Sequence, residues 1–271
     1  MGGDRSGSQR SLSRARGILR VERCDLSDLG EGTMTRNSMI AIPALNEVGT
    51  IGSVVHDSLL LGLPVIVIND GSTDGTGEAA RAAGATVIDL DRNHGVGYAR
   101  RAAYRFAVDN GFDTVVECDA DGQHPVADIE RLLDALESTG AHLVIGSRFM
   151  ELEQSDADPG FTRRMAMTTL SHIASRAVGS PITDSTSGFR AIRQPLVTAL
   201  SEHMPDHYLG DTFEVLVAAG RAGYDVLELP VTMAPRQLGS SSASTLQAST
   251  AVARVLTNAV FNRLPRLPAQ R

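Results

Sequence analysis

SMIAIPALNEVGTIGSVVHDSLLLGLPVIVIND, residues 38–70, decides the fold. It opens on a short apolar run, residues 38–43, and closes on another, residues 64–70, that stays apolar until Asn69. Between them residues 47–62 carry apolar side chains at helical spacing, and Gly62 is placed to end the helix. Neither apolar run alternates with polar residues, as a half-exposed strand would. They are therefore predicted to be strands covered on both faces, joined by a helix, which is the unit of a parallel sheet.

The same rhythm continues outward. Residues 75–85 read as a short helix closed by Gly84, 86–90 as a strand, 97–111 as a helix, 113–119 as a strand, 126–140 as a helix and 142–146 as a strand. The fold class predicted is α/β, with a mostly parallel central sheet and helices on both faces. After Arg148 the alternation is lost. Residues 151–162 read as an acidic loop, 163–178 as a helix, 182–192 as a loop running into a strand, 211–222 as a helix and 225–233 as a strand broken at Pro230. Residues 235–243 form a Gly/Ser loop, and 244–263 a last helix. No linker separates this second half. The expected organisation is a tail at 1–37, one domain at 38–243 (halves 38–150 and 151–243), and a C-terminal amphipathic helix and tail at 244–271.

Composition narrows the function. A formal charge of −7 over 271 residues argues against a nucleic-acid binder. Nothing approaches the roughly 20 apolar residues of a membrane span, and the N-terminus has no apolar run of a secretory signal. The two cysteines, Cys24 and Cys118, suggest no disulfide, which fits a reducing, cytoplasmic setting.

In open α/β sheets, ligands sit outside the carboxyl ends of the strands. The polar residues gather there: residues 43–47 after the first strand, 69–75 after the second, 93–97 after the third, Asp119, Asp121 and Gln123 after the fourth, and Ser147 and Arg148 after the fifth. Some have plain readings. Asp74 or Ser72 suits a helix cap. Gly95-Val96-Gly97 suits a phosphate cradle or a tight turn, and it lacks a third glycine for a dinucleotide fingerprint. His94 and His124 have no partners at ligand spacing. Asp119 and Asp121 stand apart from these. Continued extended backbone would point both carboxylates and the Gln123 amide to one side, where an oxygen-seeking cation such as Mg2+ or Mn2+ would relieve their repulsion. Pro125 is expected to open the next helix.

The segments IPALNE, VINDGSTDGT, NHGVGYA, ECDADGQHP, IGSR, SGFRA and LPVTMAPRQLGSS, spread over residues 38–243, resemble in content and order the family 2 glycosyltransferases, most closely the polyprenyl-phosphate sugar synthases. The resemblance implies a GT-A fold and an inverting, metal-dependent transfer of a sugar from a nucleotide-diphosphate donor to a polyprenyl phosphate. It implies that Pro43, Leu45, Asn46 and Glu47 line the nucleotide, that Asp70 with Ser72 contacts base and ribose, and that Asp119, Ala120, Asp121 and Gln123 hold metal and diphosphate. Arg148 is expected to face an acceptor phosphate, and Arg236, in a late loop with Gly239 and Ser241, to close over the diphosphate. That loop has Ser242 where the family pattern has Lys, which leaves room for a soluble sugar or natural-product hydroxyl as acceptor. A hydroxyl would require a base, for which Asp211 or Glu214 is the candidate. A non-catalytic nucleotide-sugar binder is the other alternative, against which the intact Asp-Ala-Asp segment argues. The apolar stripes of the 163–178 and 244–263 helices, flanked by arginines, suit peripheral contact with the inner face of a membrane; packing on the sheet or on a second subunit is the competing expectation.

Overall fold

The structure, a computed structural model, describes residues 37–150, 161–204, 212–234 and 266–270. The opening segment folds as read: β1 (Ser38–Ala44), α1 (Ile51–Leu59) and β2 (Val65–Asn69). β1 and β2 pair in parallel, with Ile40 opposite Val65 and Ala44 opposite Asn69. Because strand side chains alternate, β1 feeds two cores. Ile40 and Ile42 pack with Val54 and Val55 of α1 on one face, while Met39 and Ala41 face the other. The chain continues through α2 (Thr76–Ala82), β3 (Thr86–Asp89), α3 (Val96–Asp109), β4 (Thr114–Glu117), α4 (Asp128–Thr139) and β5 (Leu143–Ser147). The second half adds α5 (Phe161–Val178), β6 (Arg190–Arg193), α6 (Leu196–His203), α7 (Thr212–Arg221) and β7 (Val226–Pro230).

The sheet runs β3-β2-β1-β4-β6-β5-β7. It is mostly parallel, as expected, but β6 is antiparallel to both β4 and β5. Its first residue, Arg190, pairs with Glu117 and Ile145, so the loop entering β6 lies at the same sheet edge as the end of β4. Locally, one element was not read from the sequence and one boundary moves. α6 follows Pro195 and is too short for its period to stand out. α4 begins at Asp128, because the Pro125 carbonyl first accepts the Asp128 N–H in a turn, at 2.9 Å. Pro230 ends β7 as expected: it pairs opposite Ser147 at the strand's last position, and residues 231–234 are not strand.

The α5 stripe is taken up by protein, not left for a membrane. Leu170 and Ala174 are buried in one core with Phe213 and Leu216 of α7, and Ile173, Ala177 and Val178 pack against them. Of the expected tail at 1–37 all but Asn37, of the acidic loop at 151–162 all but the two residues that open α5, and the whole of the late loop with Arg236, Gly239, Ser241 and Ser242 and of the last helix lie outside the described residues. Residues 266–270 pack on the domain: Leu267 is buried, and the Gln270 N–H donates to the Ala222 carbonyl at 2.9 Å.

The functional consequence is topological. From β1 the chain builds outward through β2 and β3 on one side, then crosses to β4 on the other. The connections therefore diverge between β1 and β4 and leave a crevice at their carboxyl ends.

α5 and α7 touch through a glycine. A Cβ on Gly220 would lie 2.8 Å from the Ala177 carbonyl oxygen and 2.9 Å from the Val178 Cα. Gly220→Leu, despite its better helix propensity, is expected to force the helices apart and to cost about 3 kcal/mol, roughly 6 °C or more in melting temperature. Thermal melting checks this, and an unchanged midpoint would mean that the two helices do not meet there.

Candidate active site

The crevice is a cleft of about 320 Å³. Pro43, Ala44, Leu45 and Glu47 from the end of β1, Asp70 from β2, and Asp119, Ala120 and Asp121 from beyond β4 form its walls. Asn93, Gly95 and Val96, with Ala99 of α3, complete it.

The loops are sewn together by side-chain hydrogen bonds, from residues behind the cleft wall and from Asp70 on it. Asn46, at φ 55, donates its N–H to Ser72 Oγ (3.0 Å) and accepts from the Thr73 N–H through Oδ1 (2.9 Å). Glu47 N–H donates to Thr76 Oγ1 at 2.8 Å. Asp74 accepts from the Thr76 and Val48 N–H groups and so holds the turn ahead of α2, whose N-cap is Gly75 and not Asp74 or Ser72. The buried Asp70 carboxylate accepts from the His94 N–H at 2.7 Å and the Gly95 N–H at 2.8 Å. The His94 and Gly95 amides are thus engaged within the protein and hold the turn that leads into α3. Gly71, at φ 71, is required here: a Cβ would come within 2.4 Å of the Arg92 backbone. His94 lies against Asp91 (2.6 Å) and stacks on Tyr98.

Asp119 and Asp121 share the cleft wall, but not by strand alternation. β4 ends at Glu117, and Asp121 lies in a turn with Gly122 at φ 75. The turn is closed by the Asp121 carboxylate, which accepts from the Gln123 N–H at 3.0 Å. Gln123 is therefore carried past the cleft, and its carbonyl accepts from the Ala234 N–H at 2.9 Å. His124 holds Asp119 from beneath. The Asp119 N–H donates to His124 Nδ1 (2.9 Å), which puts the ring proton on Nε2, 3.4 Å from Asp119 Oδ2. Burial holds the imidazole below its usual range and hence neutral. Among the described residues no group of three or more His, Cys, Asp and Glu side chains forms a metal cage. Two carboxylates on one wall instead suit a hard cation that takes its other oxygens from phosphate and water.

The family model for glycosyl transferase family 2 matches residues 39–200. The chain is 32% identical over 253 residues to polyprenol monophosphomannose synthase of Mycolicibacterium smegmatis, covering 86% of this chain and 90% of that one. The chain belongs to glycosyl transferase family 2. A second family 2 relative, the undecaprenyl-phosphate mannosyltransferase of Micrococcus luteus, is 31% identical over 216 residues, covering 75% of this chain and 86% of that one. Among solved structures, glucosyl-3-phosphoglycerate synthase of Mycobacterium tuberculosis, in complex with Mg2+ and uridine diphosphate, aligns with a TM-score of 0.62 at 24% identity. That alignment covers 85% of this chain and 80% of that one, and it places this family 2 enzyme in the GT-A fold.

Of the residues the sequence nominates for donor and metal, the structure brings Pro43, Leu45, Glu47, Asp70, Asp119, Ala120 and Asp121 to one cleft. Asn46, Ser72 and Gln123 support its loops. Asp211 and Arg236 lie outside the described residues, and Glu214 is buried on α7. Arg148 is clamped: Nε and Nη2 donate to the fully buried Asp184 at 2.6 and 2.8 Å, and Nη2 also to Thr186 Oγ1 at 3.0 Å. Asp184 is steadied by Glu228 of β7, whose carboxylate accepts from the Thr183 and Asp184 N–H groups, each at 2.7 Å. Sequence reasoning passed over Asp184, Glu228, Arg100, Glu117 and Arg190. The available signal was charge inside apolar strands, at Glu117, Arg190 and Glu228, because a charge between two helical layers demands a partner.

Burial pushes the Asp184 carboxyl up, but the hydrogen bonds and charge of Arg148 outweigh it and hold the group below its usual range. Its contribution is thus complete above the unfolded value of about 3.9 and is lost as pH falls through the lower folded value. Asp184→Asn is expected to cost about 2–3 kcal/mol at neutral pH, at the low end for a buried pair because Arg148 keeps solvent contact. Urea unfolding across acid pH checks this: the gap to wild type should close as the pH falls through the lowered folded value, and a gap independent of pH would contradict the pair.

Proposed function

We propose that this family 2 glycosyltransferase moves a sugar from a nucleoside-diphosphate sugar to a polyprenyl phosphate, with a divalent cation and inversion at the sugar carbon. The observation that carries the reading is the pair Asp119 and Asp121 on the wall of the switch-point cleft. The near full-length likeness to relatives named for polyprenyl-phosphate substrates supports it. Asp119 and Asp121 would hold Mg2+ or Mn2+ together with diphosphate oxygens. The chemistry such an ion supplies is neutralisation of the charge that grows on the departing nucleoside diphosphate.

The chain's own residues do the rest. Pro43, Leu45 and Val96 offer apolar walls to the nucleoside, and Asp70 keeps the loop before α3 against them. Arg148, held by Asp184 and Thr186, is oriented before any ligand arrives and keeps its positive charge for the acceptor phosphate. A phosphate acceptor is already anionic, so transfer to it needs no strong general base. Contact with a membrane surface follows from such an acceptor and does not depend on the α5 stripe. Ser242, where the family pattern has Lys, favours as second reading a soluble acceptor.

Asp121→Ala is expected to lower turnover by about a thousandfold or more, the loss of several kcal/mol of charge stabilisation, with little change in thermal melting. The assay offers a panel of nucleotide sugars with Mg2+, Mn2+ or chelator, and polyprenyl phosphate or soluble hydroxyl acceptors. Turnover of Asp121→Ala within about tenfold of wild type would end the carboxylate-pair reading. Transfer only to soluble acceptors would replace the lipid one.

A further inference from the structure

The segment that carries Asp119 and Asp121 is tied into a ring by His124. β4 ends at Glu117, and beyond it the Cys118 N–H still donates to the Ala41 carbonyl of β1, at 3.0 Å. The next donor, the Asp119 N–H, turns instead to a side chain, His124 Nδ1, at 2.9 Å. That bond closes residues 119–124 on themselves. Inside the ring Gly122 takes φ 75, and the Asp121 carboxylate accepts from the Gln123 N–H at 3.0 Å. Both acids therefore hang from one closed loop.

The ring that makes this closure is itself fixed. His124 is buried, and its centroid lies 4.9 Å from that of Phe189, a fully buried residue at the entrance to β6. Its two nitrogens are not equivalent. Nδ1 accepts an N–H and so carries no proton, which leaves the ring proton on Nε2. Nε2 stands 3.4 Å from Asp119 Oδ2, beyond the usual N–H···O range. The bond to the amide is thus the stronger of the two contacts, and it holds backbone, not carboxylate. A neutral imidazole in this role supports Asp119 without cancelling its charge. The other carboxylate oxygen, Oδ1, lies 3.7 Å from Arg100 Nη2, and 42% of the Asp119 side chain stays exposed on the cleft wall.

We propose that His124 is a positioning residue of the cation site: by closing the 119–124 loop through the Asp119 amide, it fixes the two carboxylates relative to each other so that both can hold one divalent cation. Without the Nδ1 acceptor the Asp119 amide loses its partner, the loop opens at its first residue, and the acids reach the cation only after paying to be ordered. The inference rests on the metal reading of the cleft given above.

The test measures binding, not turnover. GDP and UDP are titrated calorimetrically into the full chain with Mn2+ and with EDTA, and the ratio of the two dissociation constants reports the metal-dependent part of the affinity. His124→Leu, which keeps an apolar filler beside Phe189 and removes both nitrogens, is expected to shrink that ratio by about tenfold or more. Two polar variants separate the nitrogens. In His124→Asn the side-chain oxygen can stand where Nδ1 stands and take the Asp119 N–H, and the ratio is expected to return to within about threefold of wild type. His124→Gln places its amide near the Nε2 position instead, and is expected to behave like His124→Leu. A merely structural role would lower the melting temperature and weaken nucleotide binding with and without metal alike, leaving the ratio unchanged. A wild-type ratio that His124→Leu leaves intact overturns the proposal, and so does a loss that His124→Asn does not recover or that His124→Gln recovers equally. Should His124→Leu fail to fold, the contrast between His124→Asn and His124→Gln decides alone. A wild-type ratio near one with both nucleotides overturns the metal reading and, with it, this inference.

Discussion

Like charges gathered in one crevice are the constraint on which this structure depends. Glu47, Asp70, Asp119 and Asp121 all stand on the cleft wall, and the ligand proposed for that cleft is itself a polyanion. Carboxylates and a diphosphate approach only with positive charge or N–H donors between them. The fold answers each acid differently. Asp70 is met by two backbone amides, and Asp121 is turned onto the Gln123 N–H. Asp119 is flanked by Arg100 and the neutral His124. Even so, it remains the more open of the Asp119 and Asp121 pair, where an added cation relieves the most repulsion.

That arrangement explains why β6 runs backwards. A parallel strand at that place would enter the sheet from the opposite edge. Running antiparallel, β6 starts beside the end of β4 and delivers Gly188 and Arg190 directly under Asp119 and beside Glu117. The loop before it delivers Asp184 to Arg148, and Glu228 of β7 fixes that loop through its amides. The second half of the chain therefore extends the sheet and also supplies counter-charges to the first: Asp184 for Arg148, and Arg190 opposite Glu117.

Much of the first half was legible because its determinants are local. Strand, helix and strand in residues 38–70 follow from unbroken apolar runs and a well-placed glycine, and the polar strand ends located the cleft. What the sequence hid is relational. The alternation argument for Asp119 and Asp121 reached the right wall by the wrong geometry, since the turn at Gly122, not extended backbone, brings them together, and it carried Gln123 too far. The α5 stripe has the same amphipathic pattern whether it meets lipid or α7, and only the α7 contact at Gly220 distinguishes them. Arg148 and Asp184 are 36 residues apart, and no spacing rule connects them.

The Arg148–Asp184 pair sets out the physical choice most clearly. A closed pair is rigid and self-satisfied; it orients a guanidinium but leaves its carboxylate little to offer another ion. A carboxylate left partly uncompensated in a core would be a liability. At the mouth of a cleft it is an affinity for cations. The chain places the closed pair at the end of β5 and the part-exposed Asp119 beyond the end of β4, where the crevice opens.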